Sequence, residues 1–218
     1  MTELRLVASA PDGAEEPEAI APLRLPPGRH GLPADLVRAH QRQRLLEAAA
    51  TALAEQGYGR LTTARITELA GVSSRTFYQH FEDLWACLLA AYEVEAGRLC
   101  AAIEAGCAEA AERSQRGRAG VAAALDFLAT EPAVARLLSA EPPPQITVLA
   151  RARRELVDRL GTMLRDILKA GAAQPLPGIE RRLVGAAMAL VASRTAGVDP
   201  HRLQELGPEL SDLLLASL

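Results

Sequence analysis

From about residue 34 onward, apolar residues recur at spacings of three and four, and the interruptions fall at Gly or Pro. Strand-like alternation is nowhere convincing, so the chain is expected to be all-α. With 218 residues and 49% of them hydrophobic, it has enough apolar surface to bury a core without metal or disulfide help. The three cysteines are an odd set, and Cys100 and Cys107 lie seven residues apart on one predicted helix. That is about 10.5 Å along the helix axis and beyond disulfide reach, so reduced thiols are expected.

The ends of the pattern set the expected organisation. Residues 1–22 mix acids, Pro and Ala with no sustained helical period and are read as a disordered acidic tail. Residues 23–33 form an extended basic arm, held open by Pro26, Pro27 and Pro33 and charged by Arg24, Arg29 and His30. No apolar run approaches the roughly 18 to 20 residues of a membrane span, and no basic segment followed by a hydrophobic one opens the chain. A soluble, cytoplasmic protein without a membrane partner is the expectation. The formal charge of −3 does not announce a nucleic-acid binder, but a whole-chain sum can hide a local basic patch.

Within the helical part, the first helix should run from about 34 to Gln56, bury Leu45, Leu46, Ala49 and Leu53, and stop at Gly57. Thr62 is positioned to cap a short second helix, Gly71 to permit a tight turn, and Ser73 to cap a third. Asp83 then caps a long fourth helix, closed by the stretch SQRGRAG. Further helices are expected over 118–129, 131–140 and about 145–170, with EPPPQ as a break before the last of these. The chain ends in a helix over RRLVGAAMALVASR and a segment begun by Asp199-Pro200, which Gly207-Pro208 kinks or splits.

The stretch GVSSRTFYQHF concentrates aromatic and polar residues in a chain that is only 3% aromatic. At 100° per residue, Ser73 and Phe81 fall within about 40° of Phe77, whereas Arg75 and Gln79 fall about 160° away. Two aromatic rings therefore anchor one face of a short helix and a polar pair is offered on the other. Arg bonds guanine O6 and N7, and Gln bonds adenine N6 and N7, each in a bidentate manner. Arg75 and Gln79 are the expected base readers. Thr76 and Tyr78 sit about 100° to either side, where hydroxyls reach phosphate, and His80 lies at the helix end.

The segment QRQRLLEAAATALAEQGYGRLTTARITELAGVSSRTFYQHFEDLWACLLAAYE resembles the DNA-binding domain of tetracycline-repressor-type (TetR family) regulators over residues 40–93. The marks are Gly57-Tyr58, Thr62, Ile66, the turn Ala70-Gly71-Val72-Ser73, and Thr76, Tyr78, His80 and Phe81. The resemblance implies an all-α homodimer. Its residues 34–82 would be a three-helix helix-turn-helix domain that binds palindromic or pseudo-palindromic operator DNA. Its residues 83–218 would be a helical bundle for dimerisation and for binding a small-molecule inducer. The expected phosphate set is Thr62, Ser74, Thr76, Tyr78 and His80. One departure stands out, because Leu84 replaces the Lys that the family usually places at the start of the fourth helix, beside the acids Glu82 and Asp83. The arm at Arg24, Arg29 and His30 either supplies the missing hold from the minor groove or packs elsewhere or stays disordered.

In the second half, His and Cys are scattered without metal spacing or a nucleophile–base pair, so neither an enzyme nor a cofactor is expected. The inducer pocket is placed at Tyr92, Cys100, Phe127 and Met163, any of which serves equally as plain core, and few polar anchors imply a mostly apolar ligand. The last two helices carry Leu183, Ala187, Val191, Leu203, Leu206, Leu210 and Leu213, either an intrachain core or, as the resemblance suggests, a dimer interface. The function expected is a ligand-released repressor. The alternative is a helical interaction module that kept the fold and lost specific DNA binding.

Overall fold

The first long helix, α1 (Ala34–Gln56), is buried nearly all round its middle, at Leu45, Leu46, Ala48, Ala49, Ala50, Ala52 and Leu53. Its alanines keep the flanks low, which lets three other helices approach. The structure is a computed structural model that describes residues 33–168, 178–195 and 200–215. Gly57 ends α1 with φ +66°, its N–H returning to the Leu53 carbonyl at 2.8 Å.

Two short helices follow, each capped as its sequence demands. Thr62 Oγ1 accepts from the Arg65 N–H at 3.2 Å and opens α2 (Thr63–Ala70). Gly71 closes it in the left-handed region at φ +60°, a conformation that a β-carbon disfavours. Ser73 Oγ accepts from the Thr76 N–H at 3.0 Å and opens α3 (Ser74–His80). Phe77 is fully buried and Phe81 nearly so, their rings 5.8 Å apart. These two rings are what seat a helix too short to be stable alone.

The remaining helices are α4 (Leu84–Glu109), α5 (Arg113–Thr130), α6 (Pro132–Ser139), α7 (Thr147–Leu168) and α8 (Ile179–Thr195). A 3₁₀ turn (Pro200–Leu206) then passes into α9 (Gly207–Leu215) at Gly207. Asp83 caps α4 through a 2.7 Å bond from the Ala86 N–H. No strand occurs among the described residues. Nor is any helix there long and apolar enough to cross a membrane.

One expected boundary is wrong. SQRGRAG is not a break but the first turns of α5, and the chain breaks earlier, at Ala110 to Glu112. Its Gly120 serves close approach to α4, since a β-carbon there would stand 2.7 Å from Cys107 Sγ, and Gly106 of α4 does the same from the other side, where a β-carbon would stand 2.5 Å from the Ala123 β-carbon. The seam between α4 and α5 is built on the missing side chains.

α4 packs on α1, α5, α6 and α7, while α6 also bridges α1 and α8. α1 thus touches both the short helices and the larger bundle, and one continuous core joins them. Removing the Phe77 ring should cost about 3–5 kcal/mol of unfolding free energy. Urea denaturation of Phe77→Ala checks this, and a loss below about 1 kcal/mol would mean the ring is not the anchor.

Candidate nucleic-acid interface and ligand cavity

Capping and core rings leave α3 with one outward face. Ser74, Arg75, Tyr78 and Gln79 are all exposed, and Tyr78 presents 61% of its surface, braced by an edge-on contact with the Phe77 ring at 5.3 Å. The expected base readers, Arg75 and Gln79, therefore lie on the solvent side of a seated helix, with Tyr78 beside them.

The expected phosphate set divides. Thr62 is exposed, with its oxygen accepting the α2 capping bond, and the Thr76 hydroxyl lies 2.9 Å from Ser73 Oγ. A hydroxyl keeps further hydrogen-bonding capacity in both cases. His80 is half-buried against α1, its Nε2 3.4 Å from Gln41 Oε1. Burial first, then the charges of Arg38 and Arg42, hold its pKa below the usual 6.5. His80 is thus a neutral group at neutral pH.

Those two arginines were not singled out for DNA contact in the sequence, because they lie on α1, more than thirty residues before α3. Both are exposed, and the Arg42 guanidinium stacks 4.7 Å from the Phe81 ring centre. They bring positive charge to the C-terminal end of α3. The Asp83 carboxylate is turned to the N-terminus of α4, where it accepts the capping bond and faces the positive end of the helix. Leu84 packs partly against the core instead of offering a cation.

Because the folded state lowers the His80 pKa, it favours the neutral ring, and the associated stability is present above pH 6.5 and lost as pH falls through the lower folded value. The thermal midpoint of His80→Gln should therefore fall less than that of the unmutated chain between pH 7.5 and 5.5. Parallel falls would contradict the assignment.

Behind the short helices lies a cavity of about 140 Å³ walled by α4, α5, α6, α7, α8 and α9. Leu99, Val121, Leu138, Leu160 and Val184 are representative of a lining that is apolar except at Ser139, whose hydroxyl lies 3.2 Å from Thr195 Oγ1. Of the four lining residues expected, only Met163 belongs to this wall. Cys100 is fully buried core, Tyr92 is buried outside the lining, and Phe127 lies 5.3 Å beneath the Arg98 guanidinium. Helical periodicity locates a buried face but not which of several helices it meets, so it does not separate Tyr92, Cys100 and Phe127 from the residues of this wall.

The leucine stripe expected between two copies is used inside one chain. Leu183, Val191, Leu203, Leu206 and Leu210 are buried in the chain itself, and Ala187 and Leu213 are partly buried. α8 carries two apolar faces too close in angle for sequence to separate. Its outward face is Arg182, Gly185, Ala186, Ala189 and Ser193. The arm residues Arg24, Arg29 and His30 lie outside the described residues.

Comparison with known proteins agrees with this geometry. Residues 45–91 match the family of bacterial regulatory proteins, tetR family. The fatty acid degradation regulator FadR from Bacillus halodurans is similar in structure, with 22% identity and a TM-score of 0.68 over 81% of this chain and 98% of that one. So is a TetR-like regulator from Rhodococcus sp. RHA1, with 20% identity and a TM-score of 0.66 over 84% and 96%. FadR from Bacillus subtilis, in complex with stearoyl-CoA, has 17% identity and a TM-score of 0.62 over 81% and 98%. A comparison with curated proteins returns no match. Residues 45–91 are a domain of the tetR family of bacterial regulatory proteins, carried on a chain with the all-helical fold of TetR-like regulators.

Proposed function

We propose that the chain is a sequence-specific transcriptional repressor that binds operator DNA as a homodimer and is released by a small, mostly apolar ligand. The observation that carries the DNA reading is the exposure of Arg75 and Gln79 on a helix seated by Phe77 and Phe81. In the major groove each contributes about 1–3 kcal/mol of discrimination through bidentate bonding to a base. Arg38 and Arg42, beside the end of α3, take the role that Leu84 gives up and neutralise phosphate. The arm at Arg24, Arg29 and His30 adds a second hold from the minor groove.

For the ligand, the apolar cavity supports an apolar molecule, and the fold is shared with a regulator solved with stearoyl-CoA. The cavity is walled by α4, whose first turn follows α3 after Phe81 to Asp83. Ligand that spreads the wall shifts α4 and with it α3, so two copies no longer span one face of the duplex.

The second copy docks on the outward face of α8. Its small side chains let two helices approach closely, and a β-carbon added at Gly185 meets nothing within 4 Å inside the chain, so packing within one copy gives no reason for the glycine. Ala189→Arg should convert a dimer to a monomer in light scattering, with its helical circular dichroism kept. A variant that remains dimeric would move the interface elsewhere.

In a mobility-shift assay on the DNA upstream of its own coding sequence, the chain should give a specific complex. Arg75→Ala with Gln79→Ala should weaken it at least tenfold, and deletion of residues 1–33 reads the share of the arm. Absence of any specific complex from the unmutated chain would leave the interaction module as the better reading.

A further inference from the structure

Away from the cavity, two buried donors among the described residues are left without partners. Tyr92 is 2% exposed, and its hydroxyl has no hydrogen-bond partner, nor has Nε of Arg153, whose side chain is 16% exposed. Arg153 spends its terminal nitrogen on Glu141, at 2.9 Å, in the Pro-rich break before α7, which leaves Nε–H pointing elsewhere. Tyr58, on the turn between α1 and α2, feels the same Arg153 and Glu141 charges, and Gln56 beside it buries an amide oxygen without a partner. Burial pushes the Tyr58 phenol up to about 12 and the Tyr92 phenol up as well, so both stay protonated. Leaving such groups unsatisfied costs about 1–3 kcal/mol each, so the cluster favours a guest that accepts from both donors.

The position of the pair suggests the guest. Tyr92 and Leu99 are seven residues apart on α4, and Arg153 and Leu160 are seven apart on α7. Seven residues return to within about 20° of the same face and advance about 10.5 Å. Leu99 and Leu160 both line the apolar cavity. The two donors therefore sit two turns from the cavity, on the same faces of the two helices that wall it.

We propose that Tyr92 Oη–H and Arg153 Nε–H form a carboxylate site, and that the ligand is a straight-chain carboxylic acid whose chain occupies the apolar cavity. This rests on the reading of the cavity as the ligand site. A carboxylate accepts from both donors, and the bond to guanidinium is charge-assisted. It then shares the Arg153 guanidinium with Glu141, whose side chain is 77% exposed and keeps water as well. Ligand in this pose ties α4 and α7 to each other beside the turn that leads into α2.

The test is calorimetry of the full chain with decanoate and with 1-decanol. Decanoate should bind at least tenfold more tightly than decanol. Tyr92→Phe and Arg153→Met should each cost decanoate about tenfold while leaving decanol unchanged, and Ala124→Phe, which fills the cavity wall, should abolish both. Equal affinity for acid and alcohol, or indifference of decanoate to Tyr92→Phe, would overturn the carboxylate site and leave the apolar cavity standing. Binding of neither compound would overturn the cavity reading and the carboxylate site together. Decanoate that still binds Ala124→Phe would show that its chain lies outside the cavity and would also overturn the proposal.

Discussion

The fold depends on how tightly α1 can be surrounded. A helix with large side chains on every face would hold its neighbours about 10 Å off, whereas the alanines at 48, 49, 50 and 52 let α2, α4 and α6 close on it together. Even the Cys87 thiol lies 3.8 Å from the Leu45 carbonyl, its pKa pushed up to about 12 by burial, so it behaves as a small apolar group. The short helices α2 and α3 are consequently not an appendage. Their seating and that of the larger bundle share one set of side chains, and neither can shift without the other sensing it.

Charge is arranged around this core with some economy. Arg65 joins the end of α1 to α2 through Glu55 and Glu68, and Arg98 joins α4 to α6 through Glu95 and Glu131. Both are partly exposed, and pairs of that kind contribute little stability. What they do is link elements: Arg65 of α2 reaches Glu55 of α1, and Arg98 of α4 reaches Glu131, the residue between α5 and α6. Glu95, almost buried and raised in pKa chiefly by desolvation, keeps its charge compatible with burial through the Arg98 bond at 2.8 Å.

Much of α2 and α3 was legible in the sequence because local rules decided it. Caps at Thr62, Ser73 and Asp83, left-handed glycines at 57 and 71, and the 100° arithmetic around Phe77 are all short-range effects. Arg38 and Arg42 were not legible as partners of His80, since nothing local ties positions 38 and 42 to position 80. The same limit applies to Tyr92, Cys100 and Phe127, which stand outside the lining of the cavity. Each is apolar enough for a core face, and which wall it meets depends on how α4, α5 and α7 rotate against one another. Glycine misled in the opposite direction: Gly117 and Gly120 read as a helix stop from their composition, whereas the contacts of Gly120 show a packing requirement.

That glycine seam has a mechanical consequence. Helices that meet at Gly106 and Gly120 with no space for even a methyl group cannot slide or roll over each other without collision, so α4 and α5 move as one stiff beam. Any swelling of the cavity must then be taken up by its other walls, α6, α7, α8 and α9. The N-terminal end of the beam, the first turns of α4, is packed on α1. A small change of pitch at its far end is therefore felt by α1 as well as by α3, which joins that end through three residues.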